Sequence, residues 1–391
     1  MTPPKNGHRI DARARVVRVL AETGAASRAE LARLTALAPS TISAIVGELE
    51  ADGLVTEAGD QSAQATLGRP PVLVALSRSA GVAVGIDFGK RHLRVALAAL
   101  SHSILAERHE PLAADVPAAE VIPRAVALVD EVLDTAGSQR SDVAGVGMGL
   151  PGPVHAPTGE LGDSTILPGW VGVRAVEAMT AALELPVEVD NDANLGALSE
   201  SMWGAGRGAA QMAYLKVATG IGAGLIIDGR PYHGAGGTAG EIGHTVVDPG
   251  GSICRCGNRG CLETMAGVPP VLAALRDAYG NDLTIDEAIA RARDGDAGCR
   301  RVIADAGRAI GSAVATLCNL FNPQRIVVGG DLGAAGELLL APLRESLGLG
   351  AIRSAADDVE VVEGALGDRA EVLGAVALGL RRGAELPALR H

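Results

Sequence analysis

The stretch GEIGHTVVDPGGSICRCGNRGCLE, residues 240–263, places one histidine and three cysteines close together in a glycine-rich segment. His244, Cys254, Cys256 and Cys261 supply one imidazole and three thiols, which is the ligand set of a closed tetrahedral zinc site. Thiolates are soft ligands that select zinc over Mg²⁺ or Ca²⁺. The alternative is a set of reduced surface thiols. Since protein groups fill all four positions, we predict one structural zinc ion per chain.

The composition favours a multidomain protein of the cytoplasm. A chain of 391 residues is too long for one compact core, and its apolar runs are shorter than the roughly 20 residues that span a bilayer. Its N-terminus lacks the apolar core of a secretory signal, and five cysteines are an awkward number for a disulfide framework. We therefore expect a cytoplasmic protein with reduced thiols and no membrane contact.

The charge is unevenly distributed along the chain. The net charge is -12, but residues 1–80 hold nine Lys and Arg against eight Asp and Glu. Residues 81–391 hold 25 against 38. Because a strongly negative surface repels phosphates, only the N-terminal part is suited to nucleic acid.

The N-terminal residues have the pattern of a small helical module. Residues 12–23 carry apolar side chains at helical spacing, and Gly24 ends this run. Ser27 with Glu30 three residues later is the reciprocal capping pattern of a second helix. We predict that Ser40 is the N-cap of a third helix.

This third helix would expose small hydroxyl residues in its first turn, as the recognition helix of a helix-turn-helix does. Residues 54–57 and 72–76 then read as two strands of a wing. The predicted DNA contacts are Ser40, Thr41, Ser43 and Arg69, the last in a narrow minor groove. The alternatives are a module that docks a protein and an arginine that only braces the wing. One module has few Lys and Arg residues and would therefore bind DNA weakly by itself. We expect a homodimer or homotetramer, in which two modules bind together.

From residue 81 onward the pattern is that of a layered α/β domain. Residues 81–100 read as two apolar strands joined by a hairpin, and residues 212–232 repeat this theme. The repetition suggests a duplicated fold with two lobes that face a cleft. Between them, Asp190, Asn191, Asp192 and Asn194 follow a strand and open a helix, where α/β folds bind ligands. Helix capping is the alternative role for Asn191 or Asp192.

The motif GEIGH followed by CRCGNRGCLE closely resembles the ROK family (repressors, open reading frames and kinases), and the resemblance covers essentially the whole chain. It implies a winged helix-turn-helix in residues 1–80 and a two-lobed actin-like ATPase or hexokinase-type domain in residues 81–391. We place the lobes at about 81–192 and 193–370, with a C-terminal helix, 369–383, packing back. By the same resemblance, the residues that contact a sugar are Asn191, Asp192, Glu241, His244 and Glu263.

The ROK family contains sugar kinases, which usually lack the DNA-binding module, and regulators that carry it and respond to a sugar. Kinases usually show D-x-G-G-T in the first hairpin, whereas this chain has Asp87-Phe88-Gly89-Lys90-Arg91. In a kinase, Asp192 would be the catalytic base. Phosphate would then be bound by Asp87, Gly89, Thr219, Gly220 and Gly222.

We therefore predict a regulator that binds operator DNA, most simply a repressor of carbohydrate-related genes whose ligand is a sugar. One alternative is an ATP-dependent sugar kinase with a DNA-binding extension, since the possible base Asp192 is retained. A second alternative is a regulator that responds to a protein partner.

Overall fold

The computed structural model of the protein describes residues 5–58, 72–113, 116–155, 158–161 and 167–383. Within these residues a small N-terminal module precedes two five-stranded sheets. No helix in the described part of the chain is long and apolar enough to cross a membrane.

The N-terminal module combines three helices with a three-stranded antiparallel sheet. Its elements are α1 (Lys5–Thr23), β1 (Ala25–Ser27), α2 (Arg28–Thr35), α3 (Pro39–Ala51), β2 (Val55–Ala58) and β3 (Leu73–Leu76). The strand order is β1-β3-β2. The predicted helix-turn-helix and the two wing strands are therefore confirmed. Strand β1 is an addition, because three residues are too few to show a periodic pattern.

Two predicted helix starts in this module have different outcomes. At α2 the predicted capping box is present: the Glu30 backbone N–H donates to Ser27 Oγ, and the Ser27 N–H donates to the Glu30 carboxylate. At α3 the predicted N-cap, Ser40, is wrong. The helix begins at Pro39, whose fixed φ suits the first helical position and whose missing N–H costs nothing there. Ser40 lies in the first turn and is exposed.

The first sheet has the strand order β10-β7-β4-β5-β6. Elements here are β4 (Val82–Phe88), β5 (His92–Ala99), β6 (Ile104–Pro111), α4 (Ala118–Ala136), β7 (Val143–Leu150), β8 (Val154–His155), β9 (Glu160–Leu161), α5 (Ala175–Leu183) and β10 (Val187–Asn191). Strands β4, β5 and β6 are antiparallel, while β7 and β10 run parallel to β4. The carboxyl ends of β4, β7 and β10 therefore meet at one edge.

The second sheet, of order β13-β12-β11-β14-β15, repeats this topology of three antiparallel and two parallel strands. Its elements are α6 (Asp192–Trp203), β11 (Met212–Val217), β12 (Ile221–Ile227), β13 (Arg230–Pro231), α7 (Glu263–Ala266), α8 (Val268–Tyr279), α9 (Ile285–Arg293), α10 (Ala297–Phe321), β14 (Arg325–Gly329), α11 (Glu337–Gly350), α12 (Arg353–Asp358), β15 (Glu360–Glu363) and α13 (Ala370–Gly383). The predicted duplication is thus present in the strand order.

Helices α6 and α13 pack between the two sheets, and glycine makes this close packing possible. Helix α13 lies on β4 and β7, while α6 lies on β11 and β12. A Cβ at Gly147 of β7 would lie 2.0 Å from the carbonyl oxygen of Ala375, and a Cβ at Gly374 would lie 2.0 Å from that of Leu195. Backbone thus meets backbone where the lobes join.

The N-terminal module is joined to the first lobe through a partly buried histidine. His102, in the β5–β6 turn, donates from Nε2 to the Ala21 carbonyl oxygen of α1 at 2.6 Å. Its Nδ1 accepts a hydrogen bond from Trp203 Nε1 at 3.2 Å, and the two rings meet edge to face. The burial of this ring lowers the pKa of His102, which favours the neutral form that these two bonds require.

Candidate functional site

His244, Cys254, Cys256 and Cys261 come together in the structure, with one ligand atom from each within 4.8 Å of the others. Cys254 Sγ lies 3.5 Å from His244 Nδ1, and Cys256 Sγ lies 3.6 Å from Cys261 Sγ. Tetrahedral ligation with bonds of about 2.0–2.3 Å separates neighbouring ligand atoms by about 3.5–3.8 Å. The four residues therefore fit a metal ion.

Backbone bonds hold this metal-ligand loop, residues 244–261, in place. Both Val247 N and Asp248 N donate to the Gly260 carbonyl oxygen, and Val246 forms a β-bridge with Cys261. Gly260 has a φ of +69°, and a Cβ there would lie 1.5 Å from the Asp248 carbonyl oxygen. Only glycine fits at this position.

His244 faces two sites at once. Its Nδ1 lies toward the cysteines, whereas its Nε2 lies 3.8 Å from Glu241 Oε2. Glu241 lines the cleft between the lobes. This arrangement is typical of metal sites, since a metal-bound histidine commonly directs its other ring nitrogen to a carboxylate. One imidazole can therefore ligate a metal and present a donor to a ligand.

The cleft has a volume of 570 Å³ and is lined from both lobes. All five predicted sugar contacts line it: Asn191, Asp192, Glu241, His244 and Glu263. No Phe, Trp or Tyr side chain belongs to the lining formed by the described residues. A ligand in this cleft would therefore be recognised by polar side chains and backbone rather than by ring stacking.

Asn191 and Asp192 differ in how their side chains are used. Asn191 is the N-cap of α6 and also donates from Nδ2 to the Gly152 carbonyl oxygen at 2.7 Å, so the capping alternative holds for this residue. Asp192 accepts from Ala193 N through Oδ1 and from Lys216 Nζ through Oδ2 at 3.0 Å. Its carboxylate retains lone pairs that can accept a ligand hydroxyl.

Glu263 is the first residue of the short helix α7, immediately after the metal-ligand loop. Its Oε2 accepts from the Ile221 backbone N–H at 3.1 Å and from Arg255 Nη2 at 2.9 Å. A Cβ at Gly220 would lie 2.5 Å from this oxygen. The loop, the β11–β12 turn and the carboxylate are therefore one packed unit.

The predicted phosphate-binding residues are only partly placed on the cleft. Gly89, Thr219, Gly220 and Gly222 line it, whereas Asp87 does not. His92 does line the cleft and lies 2.8 Å from Asp87 through Nε2. A Cβ at Gly89 would lie 2.1 Å from this ring, so the imidazole occupies the space beside the hairpin.

The pKa of Asp87 shows the strength of this pairing. Burial opposes ionisation of the carboxyl group, but the hydrogen bond and charge of His92, with the charges of Lys216 and Arg94, hold its pKa below the ordinary value. Asp87 is therefore a charged group that the protein itself neutralises.

The predicted DNA contacts lie on the outer surface of α3 except for one. Ser40 and Ser43 are exposed and Thr41 is partly exposed, while Ile42, Ile45, Val46 and Leu49 are buried beneath them. Ser43 Oγ donates to the Pro39 carbonyl oxygen at 3.0 Å, which leaves it an acceptor toward DNA. Arg69 lies outside the described residues.

Among the cleft residues that the predicted set lacks are His92, Lys216 and Glu371. Lys216 could have been noticed, since it is the one charged residue in the apolar stretch MAYLKV. His92 follows the atypical hairpin, but nothing in sequence pairs it with Asp87. Glu371 lies 179 residues after Asp192 along the chain (371 − 192). Only the fold brings it near.

Comparisons with known proteins match both parts of the chain. A model of the ROK family matches residues 83–382, and a model described as winged helix-turn-helix DNA-binding matches residues 12–56. The xylose repressor of Caldicellulosiruptor bescii is 30% identical over 378 residues, which cover 93% of this chain and 94% of that protein.

Solved structures agree with these matches. The crystal structure of a ROK family transcriptional regulator, a homolog of the E. coli MLC protein, has a TM-score of 0.77 at 28% identity and covers 98% of both chains. A ROK family glucokinase from Streptomyces griseus, in complex with glucose and AMPPNP, has a TM-score of 0.67 at 27% identity. The match covers 76% of this chain and 99% of the glucokinase chain. The regulator therefore matches the length of this chain, whereas the kinase does not.

Proposed function

Because this chain belongs to the ROK family and carries a winged helix-turn-helix in front of the family domain, we propose that it is a sugar-responsive transcriptional repressor of carbohydrate-related genes. The observation that carries this function is the presence, in one chain, of a DNA-reading module and a polar cleft between two lobes. The similarity to a xylose repressor covers 93% of this chain, a length that leaves out neither part.

The sugar would be held by hydroxyl-binding groups from both lobes. Asp192 and Glu263 offer carboxylate acceptors, Glu241 a third, and His244 Nε2 a donor. Asn191 acts chiefly by capping α6 and so holds Asp192 in place. These groups bind hydroxyls, so the ligand class that fits the cleft is a sugar.

We further propose that the metal ion is zinc, held by His244 Nδ1 and the three cysteine thiolates. Zinc in such a site supplies structure, because no open coordination position remains for water. The consequence falls on this chain's own residues: His244 has a fixed ring orientation, and Glu241 and Glu263 are fixed on either side of the loop.

Helix α6 offers a direct connection between the sugar and the DNA-binding module. It begins beside Asn191 and Asp192 in the cleft and ends at Trp203, which donates to His102. His102 in turn donates to the Ala21 carbonyl oxygen near the end of α1. A sugar that binds one lobe arrangement more tightly would thus shift the position of the module, and in a homodimer or homotetramer the spacing of the recognition helices.

We predict that Trp203→Phe weakens this coupling. Phenylalanine keeps an aromatic ring but removes the N–H that bonds His102 Nδ1, a contact worth about 1 kcal/mol or about fivefold in an equilibrium. We expect unchanged sugar affinity and a sugar effect on DNA affinity reduced by about that factor. Fluorescence anisotropy with and without sugar measures both. Tyr232→Phe, which alters an exposed ring, is the control; an unchanged sugar effect in Trp203→Phe would exclude this connection.

A working sugar kinase is the second candidate, and the cleft shared with the glucokinase fold is the observation that favours it. Two contacts speak against phosphoryl transfer: His92 fills the space beside Gly89, and Asp192 Oδ2 already accepts from Lys216. Hexose-dependent ADP production that is abolished by Asp192→Asn would establish the kinase.

The function is tested by selecting duplexes that bind the purified protein from a random DNA pool. The enriched sequence is then titrated in the presence of sugars, N-acetyl sugars and sugar phosphates, each with and without Mg-ATP. We expect one sugar class to weaken DNA binding and to raise the unfolding temperature without ATP. Failure to enrich any sequence would refute DNA recognition, whereas enrichment without any sugar effect would refute only the response.

A further inference from the structure

Lys216 is the feature of the cleft that neither the zinc nor the sugar contacts explain. It lies on β11, the central strand of the second sheet, and its side chain is only 18% exposed. Its Nζ lies 3.0 Å from Asp192 Oδ2 and 3.3 Å from Glu371 Oε1. An ammonium group so deeply placed is costly to bury unless carboxylates compensate it.

The carboxylates around Lys216 come from three separate parts of the chain. Asp192 begins α6, Glu371 lies on α13, and Asp87 ends β4 in the first lobe. Burial opposes the charge of the lysine, yet the charges of these three groups outweigh it and raise its pKa above the ordinary value. Lys216 is therefore a permanent cation where the two lobes and their connecting helices meet.

Such a group of carboxylates at strand and helix ends is the setting in which Mg²⁺ is bound beside phosphates. Each of the three groups is buried or nearly so: Asp87 is 2% exposed, and the side chains of Glu371 and Asp192 are 8% and 15% exposed. Asp87 is paired with His92, so without Lys216 the uncompensated charge would fall on Asp192 and Glu371. A divalent metal and a lysine are two ways to remove it.

We propose that Lys216 is an internal counter-ion that takes the place of a divalent cation between Asp192 and Glu371. It positions Asp192 as a fixed acceptor for a sugar hydroxyl and leaves no room for a metal ion that would bring a nucleotide phosphate. This inference rests on the proposed function, because it explains how the cleft retains a sugar-binding carboxylate without kinase chemistry. It makes the regulator independent of divalent cations.

The test uses Mn²⁺ alone as the probe, on the full-length, zinc-loaded protein. Free Mn²⁺ is measured by electron paramagnetic resonance for the wild type, Lys216→Met and Lys216→Arg. We expect Lys216→Met to bind Mn²⁺ at least about tenfold more tightly than the wild type, because an uncharged side chain leaves Asp192 and Glu371 without the cation that contacts both. Lys216→Arg, which keeps the charge, should behave as the wild type does.

Lys90→Met is the matched control, since it removes a positive charge from the same cleft but from the β4–β5 hairpin of the first lobe. It should gain no Mn²⁺ site. If Lys216→Met is folded by circular dichroism and gains none either, the proposal is wrong. Should that variant fail to fold, the wild type decides: a Mn²⁺ site that disappears in Asp192→Asn would overturn the proposal, and its absence would support it.

Because no sugar enters this experiment, its result is separate from the function itself. A protein that fails to respond to any sugar could still gain a Mn²⁺ site in Lys216→Met. Conversely, a sugar-responsive repressor whose wild-type cleft binds Mn²⁺ would keep its function and lose this explanation.

Discussion

Replacement of Cys256 by serine is expected to release the metal and with it the sugar response. A serine hydroxyl is a poor ligand for zinc, and apparent binding energies of structural zinc are about 10–16 kcal/mol in small zinc domains near neutral pH. Cys256 is exposed, so the change disturbs no packed core. We expect zinc content below about a tenth of the wild-type value and sugar affinity at least about tenfold weaker.

The reason for the second effect is geometric. Loss of the metal frees the His244 ring and loosens the loop whose backbone holds Gly260 against Asp248. Glu263 follows the loop directly and contacts the β11–β12 turn, so its carboxylate would move as well. Metal analysis of the purified protein, isothermal titration with the identified sugar and thermal unfolding measure the three consequences.

Cys299→Ser is the matched control, because this cysteine is buried on α10 and lies outside the metal cluster. It should lower the free energy of unfolding while it leaves the zinc content and sugar affinity unchanged. A Cys256→Ser protein that lacked zinc yet bound sugar and released DNA normally would show that the metal is only a distant structural brace.

The second large effect is expected from Asp192→Asn. A hydrogen bond to a charged acceptor contributes about 1.5–3 kcal/mol, which is a factor of about 10 to 150 in a dissociation constant. The asparagine keeps the size of the side chain but loses the charge that Lys216 contacts and that, by our proposal, accepts a sugar hydroxyl. We expect correspondingly weaker sugar binding, and DNA that stays bound at sugar concentrations that release the wild type.

Glu188→Gln is the control for this change. It lies on the same strand, β10, but pairs with Arg382 and does not line the cleft. Sugar affinity, measured by isothermal titration, should be unchanged in this variant. If Asp192→Asn bound sugar and released DNA as the wild type does, Asp192 would not be a sugar contact.

Local patterns in the sequence predicted many of the elements correctly. Ser27 and Glu30 are three residues apart, so their capping box is visible without the fold. The four candidate metal ligands lie within one segment, and their convergence follows from a short glycine-rich loop. Ser40 was assigned wrongly because a hydroxyl residue and a proline compete for the same helix start, and only the backbone geometry chooses between them.

Contacts between residues far apart in the sequence could not be predicted from local patterns. The pairing of His92 with Asp87 depends on the ring folding back over Gly89, which no spacing rule predicts. Trp203 and His102 meet only because the end of α6 packs beside the β5–β6 turn and α1. Contacts of this kind are set by helix packing on two sheets.

The sequence by itself determined the family, the winged module, the duplicated α/β domain and the segment that holds the metal ligands, because each depends on residues within one local pattern. Only the tertiary structure decided that His244 turns Nδ1 to the cysteines and Nε2 to the cleft. It likewise decided that Lys216 lies between Asp192 and Glu371. The physical reason is that burial of a charge is compensated by whichever groups the fold brings within contact, and that is a property of packing rather than of spacing along the chain.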